Sequence, residues 1–249
     1  MRGEGAWYAR SGSKLGEVYT IMHLPYTSMV LSYVLVGAAV SPSFYPSRVI
    51  LTLLAYFLGL GFSAHALNEL HARHWGDALS KRELEILFAV PLIGALIVGA
   101  YGMTVLYATT GALLAPLVLL AFIFLETFFL FAYNLDFLGG RFHSDVSFAF
   151  SWAALPVTIS YYVNALTITS VAILVALAMA ATAAIEINLS RWCKDFRRRS
   201  LLTEIGFGDG TKLNLTTAEL IARPEKSLKL IVVAVDLLAV GLIVRKLLL

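Results

Sequence analysis

The chain has 249 residues, 59% hydrophobic and 14% charged, with a mean hydropathy of +0.80; soluble domains run at roughly 45–50% apolar and 25% charged, so composition excludes a water-soluble globular fold. The formal charge of +3 is small and unevenly spread, and no aromatic-interleaved basic surface or nucleic-acid motif accompanies it, which argues for anionic lipid and against nucleic acid as a partner. A single cysteine, Cys193, excludes an intramolecular disulfide and a zinc site of several thiolates.

Taken in chain order, Arg2, Arg10 and Lys14 precede an apolar stretch from Val18 to Val40. That stretch exceeds the roughly 7–15 residues of a signal-peptide core, so it reads as a retained first span. Runs long enough to cross a bilayer, about 20 residues each, are predicted at 20–40, 49–70, 84–107, 112–133, 146–163, 169–189 and 228–247. Turn residues punctuate them: Ser41-Pro42-Ser43 with Pro46, Thr109-Thr110-Gly111, and Gly139-Gly140. The fold class is therefore all-α, a polytopic transmembrane bundle of about seven helices forming one domain. Residues 190–227 are predicted as a polar loop, with a short helix near Thr216 to Ala222 announced by a capping-box pattern from Thr216 to Glu219. With the N-terminus in the cytoplasm, sixteen of the nineteen lysines and arginines fall inside; only Arg48, Arg245 and Lys246 fall outside. The positive-inside bias therefore predicts a multi-pass protein of the cell membrane, N-terminus in and C-terminus out.

Three polar groups interrupt the apolar pattern near the ends of these spans. In the first, His65, Asn68 and Glu69 are spaced i, i+3 and i+4 and share one helix face, followed by His71, Arg73, His74, Trp75, Gly76 and Asp77. Ionisable groups at membrane depth are expensive and face a bundle interior or a wet cavity, so a shared face suggests a polar pocket; an ordinary interfacial helix end explains the residues equally well. The second runs from Tyr133 through Asp136, Gly139-Gly140 and Arg141 to His143 and Asp145. Here Arg141 offers a planar fork for phosphate, or pairs with Asp136 or Asp145 in a solvated loop. The third closes the sixth span, from Glu186 and Asn188 through Arg191, Cys193, Lys194 and Asp195 to Arg197-Arg198-Arg199. Its basic residues can attract a diphosphate or inner-leaflet headgroups, and Cys193 beside them is either a reactive or, more simply, a passive thiol. Glu126 and Asp236 fall within predicted spans, where a carboxyl is buried, protonated or partnered.

In combination these groups resemble the UbiA superfamily of intramembrane prenyltransferases, most closely its 1,4-dihydroxy-2-naphthoate branch. Asn68-Glu69-x-x-Ala72 is similar to the family's Asn-Asp-x-x-Asp motif, and Asn188-Leu189-x-Arg191-x-x-x-Asp195 to its Asn-Leu-Arg-Asp-x-x-x-Asp motif. The segment from Tyr133 through Arg141 and Asp145 to Leu155-Pro156 and Tyr161-Tyr162-Val163, and the opening His23-Leu24-Pro25, add to the likeness, which spans about residues 18–200. The resemblance implies a pocket for an isoprenoid or quinone-like lipid built from His65, Asn68, Arg73, Tyr133, Arg141, Asn188, Arg191 and Lys194. It also implies Mg2+, if the chain is catalytic, on Glu69 and Asp195, where the metal would neutralise a prenyl diphosphate leaving group. The departures are specific: Ala72 and Arg191 stand where the family carries acids, and seven spans replace its usual nine. Loss of carboxylates favours a lipid-binding descendant over an active prenyltransferase. A seven-helix transporter is the third class; it would place polar groups near the bilayer midplane, where only Glu126 and Asp236 are candidates. A retinal protein is disfavoured because the last span has only Lys229 at its edge.

Overall fold

The computed structural model describes residues 6–10, 12–72, 77–197 and 202–248, with 202 and 203 described by backbone alone. The chain is a helical membrane protein: six helices are long and apolar enough to cross a bilayer, or seven when one bent pair is counted as a span. The bent pair is α1 (Lys14–Ile21) and α2 (Leu24–Val40), inclined at 42° to each other. The others are α3 (Pro46–His71), α4 (Lys81–Thr110), α5 (Leu114–Asn134), α6 (Asp145–Ala165), α7 (Ser170–Arg197) and α8 (Thr217–Leu248). Each predicted apolar run falls on one of these helices or on the bent pair, because a chain in hydrocarbon must satisfy every backbone group within its own segment.

Local chemistry sets the ends. Ser80 and Glu83 form a capping box at the start of α4, and Gly111 closes that helix in a left-handed conformation at φ 65°. Ser144 caps α6 by accepting from the Ser147 N–H. Between α1 and α2 the chain turns at His23, which holds a positive φ of 45° while its Nδ1 lies 2.7 Å from the Ile21 carbonyl. Buried Glu17 fixes α1 by accepting from the Ala78 and Leu79 N–H groups that lead into α4.

The polar segment predicted as a loop at 190–227 has regular structure instead. Helix α7 runs on to Arg197, strands β1 (Leu202–Gly206) and β2 (Lys212–Thr216) form an antiparallel hairpin, and α8 begins at Thr217. The predicted capping box is present, with Thr216 Oγ1 accepting from the Glu219 N–H and Glu219 Oε2 from the Thr216 N–H. The helix it starts is long, not short, since the residues around Pro224 continue without a break into the last span. Short period-two strands flank Phe207–Thr211, and Gly210 turns the chain at φ 85°; this is hairpin chemistry that a reading for spans passes over.

The core sits around α2. Gly37 brings α2 so near α6 that a Cβ there would lie 2.2 Å from the Val157 carbonyl oxygen, the close small-residue packing that holds helices together where hydrophobicity cannot. On its other side α2 meets α8: Asp236 accepts from Ser28 (2.9 Å) and Ser32 (2.8 Å), and Lys246 donates to the Ser41 carbonyl at 2.6 Å. Two π-helical segments, Phe57–Ala64 in α3 and Phe150–Ala154 in α6, insert an extra residue per turn and rotate the succeeding side chains around the helix axis. Ser63 Oγ donates to the Leu58 carbonyl within the first of them.

Candidate functional site at one end of the bundle

The ends of α3, α5 and α7 and the starts of α2, α6 and α8 lie at one end of the bundle, and the three polar groups meet there. The first π segment delivers His65 inward, where its ring lies 4.3 Å from that of His23 and 5.0 Å from Trp152 at the end-facing side of the second. Trp152 stacks on Phe148 at 5.1 Å, and Phe148 packs on Tyr133 at 5.9 Å. Tyr133 in turn stacks on His143 at 4.4 Å and 20°. This aromatic wall carries a charged rim. Asp136, at a positive φ of 53°, holds both His143 (2.9 Å) and His71 (3.3 Å), while Arg191 pairs with Asp145 and reaches the Tyr133 hydroxyl at 3.5 Å. Non-glycine residues in the left-handed region are uncommon and mark turns, strain or function. Three of the four among the described residues, His23, Asp136 and Leu138, lie at this end.

The placement of the sequence-derived residues is uneven. His65 is buried, and its Nε2 has no hydrogen-bond partner. Glu69 is buried and Asn68 half-buried, so the i, i+3, i+4 face does turn inward. Tyr133 and Arg191 join the cluster directly. Arg141 is exposed and pairs with neither Asp136 nor Asp145, which are taken by the histidines and by Arg191. Asn188, Lys194 and Asp195 are exposed on α7, and Arg73 lies outside the described residues, as do His74, Trp75, Gly76, Arg198 and Arg199. Cys193 is buried at 1% exposure, which removes the reactive-thiol reading and leaves a passive packing role.

Glu69 and Asp195, the two carboxylates that the resemblance assigns to magnesium, thus differ in setting, one buried and one exposed. Among the described residues no group of three or more His, Cys, Asp or Glu side chains stands together as a metal-holding cluster. Among the described residues the donor set falls short of the several carboxylates a two-ion diphosphate centre needs.

Two features go beyond the motifs, which name Glu186 and Glu126 without their surroundings. Glu186, buried at 4% exposure, lies within electrostatic reach of Tyr8, Tyr26, Tyr33 and Tyr133. Burial, together with Tyr26 and Glu186, pushes the Tyr8 hydroxyl well above its ordinary range. The available signal was an acid inside a span-length helix. The second feature is a cavity beside Glu126, toward the opposite end of the bundle. No protein-family model, curated protein or solved structure matches the chain.

Proposed function

We propose that this membrane protein binds an isoprenoid or related lipid, seating its polar head at the basic, aromatic end of the bundle, without metal-assisted transfer of the prenyl chain. The observation that carries this reading is the meeting of the three polar groups on one aromatic wall, with Arg191 inside the cluster and Arg141 exposed at its edge with its planar donors uncommitted. A guanidinium fork suits phosphate oxygens, and a row of stacked rings suits the first apolar units behind such a head. The UbiA-like fold belongs to the same proposal and rests on the sequence resemblance. The bias of sixteen of nineteen basic residues supports a cytoplasmic setting for this end.

The test is equilibrium binding of geranylgeranyl diphosphate to the detergent-purified protein, with and without magnesium, beside Arg141→Ala and Arg191→Ala. Saturable binding without consumption, weakened about tenfold by losing a charge-assisted contact, is the expected result; Arg141 is exposed, so its variant keeps the fold. Magnesium-dependent consumption that disappears in Glu69→Gln and Asp195→Asn would replace binding with catalysis. No binding in either condition would remove both readings.

A further inference from the structure

Away from the polar end, α3, α4, α5 and α6 part to leave a cavity of about 120 Å³ that is partly open to the outside. Its walls are mostly apolar, Leu60, Leu92, Ile123 and Ile159 among them, and Gly59 and Gly102 line it without a side chain. Glu126 of α5 is the one carboxylate in the wall. Its Oε1 accepts from the Tyr56 hydroxyl of α3, whereas its Oε2 is buried and has no hydrogen-bond partner. A buried polar oxygen left unpaired carries its full desolvation cost, and in hydrocarbon no water relieves it. At the outer edge of the same space Arg48 is already committed, donating to the Val163 carbonyl (2.8 Å) and to Thr109 (2.9 Å).

We infer that this cavity is a second ligand site, distinct from the polar end, and that it takes a lipophilic molecule carrying one hydroxyl, which meets the Glu126 carboxyl as that side chain turns its enclosed Oε2 toward the cavity. The chemistry selects the class. The other polar groups in the walls already donate to the protein, Arg48 to Val163 and Thr109, Thr52 to the Arg48 carbonyl, Thr127 to the Ile123 carbonyl and Tyr56 to Glu126, so the remainder of the ligand is hydrocarbon. A hydroxyl both donates and accepts, so it completes the carboxyl wherever its proton resides. Arg48 and Tyr56 are eight residues apart on α3, about 12 Å at 1.5 Å rise per residue, which leaves room beside Glu126 for an apolar body of that length. Helix α4 forms a thin wall to this space: no part of its most apolar window is buried within the protein, so a ligand can enter from the bilayer side.

The test is photolabelling of the full-length protein in detergent with a diazirine-bearing dodecanol and with the same diazirine hydrocarbon lacking the hydroxyl, the labelled peptides being mapped by mass spectrometry. The expected result is hydroxyl-dependent labelling of α3, α4 or α5 peptides around Tyr56, Gly99 and Glu126. It should fall about tenfold in Glu126→Leu, the scale of a lost hydrogen bond to a buried polar group, and survive in Glu126→Gln, which still donates and accepts. Gly102→Leu fills the space with Glu126 intact and should block labelling as well, which separates occupancy from any effect of Glu126→Leu on folding. Equal labelling by the hydrocarbon, or Glu126→Leu labelled as strongly as the unaltered protein, would overturn the inference. Neither result depends on diphosphate binding at the other end.

Discussion

Asp236 and Glu126 are each an acid alone in an apolar span, and the structure gives them opposite surroundings. Asp236 sits between α2 and α8 with a serine hydroxyl on each oxygen. Glu126 lines a cavity with one oxygen satisfied by Tyr56 and the other unpaired. The contrast extends to the helices around them. On the face of α2 turned away from Asp236, the helix lies so close to α6 that only glycine fits at position 37; in the wall of the Glu126 cavity, a Cβ at Gly102 would make only ordinary contact, 3.6 Å from Leu119 Cδ2. The first region is built to hold helices together, and the second leaves space that packing alone would have closed. A buried acid in a membrane protein is therefore informative only with its second oxygen accounted for.

The largest difference is expected when alanine replaces glycine at the α2–α6 contact and in the cavity wall. Gly37→Ala sets a methyl against backbone that cannot rotate away, so α2 and α6 must separate; a loss of about 3 kcal/mol, the upper range for overpacking, is expected in reversible detergent unfolding. Gly102→Ala should change stability by less than about 1 kcal/mol, with helix propensity in its favour. Equal losses at the two positions would mean that the two regions are packed alike. Next in size, Asp236→Ala leaves the Ser28 and Ser32 hydroxyls without their shared acceptor and should cost about 1–2 kcal/mol, the range for interhelical hydrogen bonds in membranes. Smallest is the double change Tyr56→Phe with Glu126→Leu. Removing both partners of a buried hydrogen bond is nearly neutral or stabilising, so its unfolding midpoint should match or exceed that of the unaltered protein. A clear loss there would make Glu126 a second structural clasp.

The polar end shows how far residue patterns carry. His65, Asn68 and Glu69 share a face because spacing on a helix dictates it, and the structure buries His65 and Glu69 and half-buries Asn68. That His71 and His143 would both choose Asp136, leaving Arg141 unpaired, depends on a left-handed turn at Asp136 that no local pattern announces. The π segments that aim His65 and Trp152 at each other's neighbourhood are equally silent, since their residues are ordinary apolar ones and small ones. The hairpin at 202–216 was readable in principle from its alternation and glycine turn, but a search for hydrophobic length assigns such residues to a loop.

The apolar membrane-length helices and the cap at Thr216 follow from the sequence alone, because these depend on groups a few residues apart: hydropathy summed along one helix, and side chains that satisfy the nearest free N–H groups. Which acid is satisfied and which lines a cavity follows from how the helices pack. Those outcomes depend on partners 208 and 204 residues away for Asp236 and 70 residues away for Glu126, and two spans of similar composition carry no mark of which neighbours will stand beside them.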